Sequence, residues 1–578
     1  MFIHQDVVTK ILKKSQDLYV CKCYVYVVIM YVDICKSKAG NKKYSRALIR
    51  ESYREKGKVK KRTIANISTC SDEEIRAIKL ALQHKGNLVD AVISLGEIHS
   101  KQGLSIGAVF VLYQVARRLD IVKVLGISEE ARRVLWMVIA RVIEPGSRLA
   151  NVRLARYHAA VDVLGMDGFN EDDLYDAMDW AYTHQERIEN TLFKKRYTDE
   201  NCPDLFLYDV SSSYLEGTKN ELADFGYCRD GKKGKKQIVF GLLTDKNGWP
   251  VSIECFKGNT RDTSTFEHQI KKLKNRFGCE RVIMVGDRGM IKSGQIEDLN
   301  DAVFHYITAI SEPEIKTLLK QKVIQMELFT EKLCEIEHEG IRYILRKNPV
   351  RAKEQKETRN SKIRKVKELL DEKNQYLIDH PRAQPSVAKR NVNELIEKLK
   401  IAGFLKARYK GRTVFIEQDE ILLEQSSLLD GCYVIKSDIP MSHMEKQSIH
   451  QRYKDLAFVE TAFRDMKTNL LNIRPINVRK ANRTKAHFFI GMLSYMLSKY
   501  LREKWKNIDI TIGEGVNELS TICCIETSVG SVKYNQIPQP RKTAEELISS
   551  LEIKLPEVMP CSEIKVATRK KLNLKRKN

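Results

Sequence analysis

The stretch from Asp204 to Ile310 limits the possible folds more than any other part of the chain, because its hydrophobic period changes repeatedly in an order that few folds accommodate. Leu205 to Val210 (LFLYDV) is a short apolar run of the kind that sits inside a sheet. Gln237 to Thr244 and Pro250 to Phe256 follow, and Lys246-Asn-Gly between them is a hairpin turn signal. Helical spacing then runs from Ser264 to Phe277 and is closed by Gly278. A strand over Glu280 to Val285, a helix over Ser293 to Asn300 and a strand over Phe304 to Ile310 complete the order β-β-β-α-β-α-β.

That order predicts an RNase H-like mixed five-stranded sheet, with its first and fourth strands side by side at the centre. Asp209 and Asp287 each end an apolar strand-like run, so this arrangement makes them neighbours. A third carboxylate comes from Tyr453 to Lys467 (YKDLAFVETAFRDMK), which reads as a single amphipathic helix with Leu456, Phe458, Val459, Ala462, Phe463 and Met466 as its apolar positions. Counting by sevens places Tyr453, Glu460 and Lys467 along one stripe, with Arg464 between the last two, and such a stripe can face a phosphate backbone. Singly, each acid has an ordinary explanation: Asp209 precedes Ser211-Ser-Ser213, Gly286-Asp-Arg-Gly289 is a turn former, and Glu460 suits any charged helix face. Three carboxylates from separate elements, in this order, are what a two-metal phosphoryl-transfer site needs, and oxygen ligands suit two Mg²⁺ or Mn²⁺ ions.

The whole chain of 578 residues reads as an α/β multidomain protein. Residues 1–29 are an extension of unknown role. Residues 30–70 are a small basic β segment, a hairpin or three-stranded sheet with turn signals at Gly40-Asn41 and Lys56-Gly-Lys58. Residues 71–200 are a helical DNA-binding module that opens on the capping box Ser71-Asp-Glu-Glu74, in a helix closed by Gly86, and carries apolar stripes with arginines on the other faces. Residues 201–310 begin the core, 311–445 interrupt it as a β-rich insertion flanked by basic helices, 446–505 complete it, and 506–578 form a C-terminal region with a basic tail from Lys565 to Lys577. The 100 Lys and Arg against 75 Asp and Glu give a net charge of +25, which favours a nucleic-acid partner. The 13 cysteines contain no C-x-x-C, so neither a zinc finger nor a disulfide framework is indicated, and a reducing cytoplasm fits. The most apolar stretch, Leu18 to Cys35, carries Lys22 and Asp33 and is too short and polar to span a membrane.

The segments LFLYDVSSSYLEG (Leu205 to Gly217), CFKGNTRDTSTF (Cys255 to Phe266), VIMVGDRGMIKSGQI (Val282 to Ile296) and YKDLAFVETAFRDMKTNLLNIRPI (Tyr453 to Ile476) resemble the DDE transposases of bacterial insertion sequences, in the branch with a long β-rich insertion before the last acid. The resemblance runs from about residue 30 to about residue 505. It implies a metal-binding and catalytic triad of Asp209, Asp287 and Glu460, and DNA contacts from Tyr453, Arg464, Lys467 and Arg474. It also implies cleavage of double-stranded DNA at the element ends, joining of the freed 3′-OH to target DNA, and a homodimer on the DNA in a bacterial cytoplasm. Leu456 departs from the family pattern, where many relatives have Arg; Arg452 or Arg464 could replace that contact. Two other classes remain: a catalytically inactive, transposase-derived DNA-binding regulator, and an aspartyl phosphatase, which Ser211 disfavours because a second Asp is needed there.

Overall fold

The computed structural model describes residues 29–39, 42–55, 58–83, 98–198, 201–302, 304–468, 470–529 and 532–559. The expected extension before residue 29, the closing Gly86 and the basic tail lie outside the described residues. The chain divides into two compact units, Met1–Gln102 with Ile525–Asn535, and Gly103–Cys524 with Gln536–Asn578. Among the described residues, no helix is long and apolar enough to cross a membrane.

In the first unit, strands β1 (Ile29–Ala39), β2 (Lys42–Glu55) and β3 (Lys58–Asn66) form an antiparallel sheet in sequence order. Ala47 and Ile49 bury one face together with Ile67, and partly buried Ile75, Ile78 and Leu82 of α1 (Asp72–Gln83) pack there. Helix α1 starts at Ser71, whose N–H donates to the Glu74 carboxylate at 2.7 Å while Glu74 N donates back to Ser71 Oγ at 3.3 Å. Lys58, Lys61 and Arg62 stand exposed on β3.

The second unit is built on an eight-stranded mixed sheet. Strands β4 (Leu205–Tyr214), β5 (Gln237–Asp245) and β6 (Pro250–Phe256) meander antiparallel. Beyond β4 lie β7 (Ile283–Gly286) and β8 (His305–Ala309), all three parallel. Past β8 come β13 (Cys432–Ser437), β10 (Ile341–Lys347) and β9 (Cys334–His338), so the order is β9-β10-β13-β8-β7-β4-β5-β6. The two faces of β4 show why the strand runs are so strongly apolar. Leu205 and Leu207 point into one core, while Phe206 and Tyr208 point into a second core formed with Phe266, Ile270 and Leu273 of α5 (Asp262–Asn275) and Leu299 of α6 (Ser293–Ala302).

Three expectations change. The sheet has eight strands where five were expected, because the strands of the insertion join its far edge instead of forming a separate subdomain. The insertion is also more helical than β-rich: it opens on α7 (Glu312–Lys320), and α8 (Pro349–Asp379, 31 residues) and α9 (Pro385–Lys398) pack with the small hairpin of β11 (Leu405–Lys410) and β12 (Thr413–Gln418) around Val366, Leu377, Val392, Ile396, Leu405 and Val414. Finally, α2 (Gly107–Arg118), α3 (Glu129–Ile143) and α4 (Glu171–Arg196) do not stand as a separate module, since their apolar stripes share one core with the sheet and with α12 (Ala481–Lys504). Arg141 and Arg148, expected on solvent-facing sides, are 2% and 5% exposed, and Arg141 donates to the Leu471 carbonyl at 2.9 Å.

Candidate active site

The register of two strands brings the first two acids together. Tyr208 pairs with Gly286 in the parallel β4–β7 ladder, so the next residue on each strand is an aspartate, Asp209 and Asp287. Neighbouring strands lie about 4.8 Å apart, which sets the scale of the approach. Asp209 is held by its own backbone, with Val210 N donating to its Oδ1 at 2.7 Å. Asp287 sits exposed in the turn after β7, where its Oδ1 accepts from Arg288 N at 2.7 Å and from the Tyr453 hydroxyl at 3.3 Å.

The third acid arrives on a helix that the sheet orients. By alternation Asp209 shares the face of Leu205 and Leu207, and that face carries α11 (Ala457–Lys467), which packs on β4 and β5 through buried Val459, Ala462, Phe463 and Met466. The Phe463 ring meets Phe240 edge-on at 5.3 Å. Glu460, in the first turn of α11, is exposed. The expected single helix is two: α10 (Lys446–Lys454) ends at Asp455, and α11 begins after Leu456. Between them Leu456 N donates to Tyr453 O at 3.3 Å and Val459 N to Leu456 O at 2.9 Å, a tightened turn with neither Gly nor Pro in it. The stripe through Tyr453, Glu460 and Lys467 therefore spans two helices instead of one. Leu456 is buried, 8% exposed, in the main core.

Electrostatics link the three acids. Burial pushes the Asp209 carboxyl up to about 7; Asp287 and Glu460 add to the rise, while the Val210 N–H and Arg229 oppose it. The nearby cations are engaged elsewhere. Arg229 donates to both Asp262 oxygens at 2.6 Å, and Arg452 pairs with Asp455 at 2.9 Å. Lys467, expected beside a phosphate, is instead buried and paired with Asp230 at 3.0 Å, and Arg474 reaches the same Asp230 oxygen at 2.9 Å. Arg464 remains exposed and donates to Thr461 Oγ1 at 3.3 Å. Asp230 escaped the sequence reading because Arg229-Asp-Gly231 looks like an ordinary turn; the signal that could have found it is the pair of cations, Lys467 and Arg474, which need a counter-ion.

Among the described residues no group of three or more His, Cys, Asp or Glu side chains converges in metal-holding geometry. The donor chemistry nonetheless suits a hard divalent cation: Asp209, Asp287 and Glu460 offer only carboxylate oxygens, and their mutual repulsion is what an ion would relieve. Burial also raises the proton affinity of the Tyr453 hydroxyl, with Asp287 adding to it, so that hydroxyl stays protonated as a donor to Asp287.

Residues 200–497 match a family model described as "Transposase DDE domain", and residues 32–91 match one described as "IS1634 family transposase, N-terminal domain". No curated protein matches the chain. Among solved structures, a cryo-EM structure of the piggyBac transposase synaptic complex with hairpin DNA aligns over 75% of this chain and 77% of that one, at 9% identity and a TM-score of 0.32, a likeness too distant to carry an argument.

Proposed function

The chain belongs to the DDE transposases of insertion sequences, and on that premise we propose that it cleaves double-stranded DNA at the ends of its element and joins the freed 3′-OH to target DNA. The observation that carries this reading is the β4–β7 register, which sets Asp209 beside Asp287 on the sheet face where α11 brings Glu460. In this reading the core, strands β4 to β8, is RNase H-like, and the three carboxylates hold two Mg²⁺ or Mn²⁺ ions. When bound, those ions would supply Lewis acidity at the scissile phosphate and lower the barrier to loss of the 3′ oxygen.

The remaining work falls to the chain's own residues. Asp209, the most buried of the three, carries a proton up to about pH 7 and must release it to act as a ligand, so cation binding strengthens as pH rises through that value. Tyr453 fixes the orientation of Asp287 through its hydroxyl, and Arg464 offers an exposed guanidinium to a DNA phosphate on the helix that carries Glu460. Lys467 and Arg474 act one step back, as the counter-ions of Asp230 that pin the end of α11 to the loop before β5. Water attacks phosphorus and the 3′ oxygen leaves; that 3′-OH then attacks a target phosphodiester, one P–O bond forming as another breaks. Two copies of the chain, one per element end, bring the ends together.

The test is an assay of the full chain with Mg²⁺ and DNA bearing the element's inverted ends, with products separated by length. The proposal expects nicks at the element termini and joined products. DNA that is bound but never nicked would favour the inactive regulator instead.

A further inference from the structure

Beside the carboxylates lies a cleft of about 370 Å³, lined by Tyr227, Arg229, Gln237, Arg261 and Lys292 among others. Gly289 and Lys292 also line it, which places it on the chain just past Asp287. Three features point to one kind of ligand. Tyr227 is 82% exposed, with the Arg229 guanidinium 5.9 Å from its ring centre; a large ring held out among cations is a stacking platform. Gln237 is 1% exposed, and its Nε2 donates to the Gly258 carbonyl at 2.8 Å, which fixes the amide and leaves Oε1 buried without a hydrogen-bond partner among the described residues. Helix α5 begins at the cleft, and Arg261, its N-cap residue, supplies no side-chain cap to the first N–H groups. A helix start flanked by Arg261 and Lys292 suits a phosphate, while Asp262 in the same wall is already neutralised by Arg229.

The walls are fixed. A Cβ on Gly226 would lie 2.3 Å from the Gly258 oxygen, and one on Gly258 would lie 2.0 Å from the Gln237 oxygen, so only glycine lets the two loops meet. Asp224 and Gln237 exchange both backbone hydrogen bonds, at 3.1 and 2.9 Å, which ties the loop to β5.

We propose that this cleft holds an unpaired nucleotide of a DNA strand, its base stacked on Tyr227, an exocyclic amine given to Gln237 Oε1, and its phosphate at the start of α5 against Arg261 and Lys292. A paired base is shut out, since its faces are stacked and its edge is occupied. The proposal rests on the reading of this chain as an enzyme acting on DNA. It is tested by titrating the full-length protein, in chelator, against labelled duplexes of one sequence: fully paired, with one bulged adenine, with a bulged purine lacking the amine, and with a bulged abasic site. Bulged adenine should bind roughly 5- to 100-fold more tightly than the abasic bulge, and several-fold more tightly than the amine-free purine. Tyr227→Ala, at an exposed position, should bring the adenine-to-abasic ratio to about one, and Tyr227→Trp should keep it. Equal binding of adenine and abasic bulges by the parent, or a ratio that survives Tyr227→Ala, overturns the proposal while the DNA reading stands. Free AMP binding as tightly as the bulged duplex would make the ligand a mononucleotide and also overturn it. Failure to bind any duplex overturns both readings.

Discussion

Burial raises the proton affinity of the Asp209 carboxyl, and the sign of its effect on stability follows from that environment. Its ordinary value of 3.8 is raised to about 7, so between these limits the folded chain keeps a proton that the unfolded chain has lost. Stability of the metal-free protein therefore falls as pH rises from about 4 to about 7 and levels off above. Between pH 5 and 7 this amounts to roughly 2–3 kcal/mol. Thermal unfolding of the parent and Asp209→Asn in chelator measures it: the variant gains on the parent as pH rises, and parallel curves would contradict the assignment. Asp230 is a carboxylate enclosed between two cations. It is 2% exposed in its side chain and accepts from Lys467, from Arg474 and from Tyr214 N at 3.3 Å. Asp230→Ala leaves a buried ammonium uncompensated and should cost about 3–5 kcal/mol in denaturant unfolding; a loss under about 1 kcal/mol would show that the pair holds nothing together. The burial of both residues could not be read from the chain, because it is set by segments far away in sequence.

The break between α10 and α11 is where local sequence and tertiary packing part company. Nothing in Lys454-Asp-Leu456 signals it, yet Leu456 enters the core there while Tyr453 reaches Asp287. The arginine that the family resemblance expects at position 456 has no room there. Leu456→Arg should destabilise by about 2–4 kcal/mol and give no gain in DNA affinity, because a guanidinium would replace a buried side chain. Tolerance of the arginine with tighter DNA binding would show that this face opens to the substrate. The strands around the aspartates were legible because both faces of the sheet are covered, which makes LFLYDV and QIVFGLLT apolar on both faces over most of their length. The strands Ile341–Lys347 and Cys432–Ser437 were legible as strands but not as members of the same sheet, since their partners are chosen by closure of a long insertion. The stripes of α2 and α3 likewise announced burial without naming the partner, and Arg141 and Arg148 hid among surface-looking arginines.

At the scale of the molecule, the net charge of +25 is the property most visible in the sequence and least dependent on the fold. With several phosphates contacted, affinity for paired DNA should fall by about 10³-fold or more between 50 and 200 mM salt, read by fluorescence anisotropy; a flat salt dependence would contradict a phosphate-led interaction. The charge says nothing about catalysis, which in the function proposed above depends on Asp209, Asp287 and Glu460. The most direct measurement is the single-turnover rate of Mg²⁺-dependent nicking at the element ends by the parent, by Asp209→Asn, Asp287→Asn and Glu460→Gln, and by their double variants. Acting as one unit, each single variant loses about 10³-fold or more and the doubles lose little beyond the singles. Any single variant that nicks at the parent's rate would contradict the account.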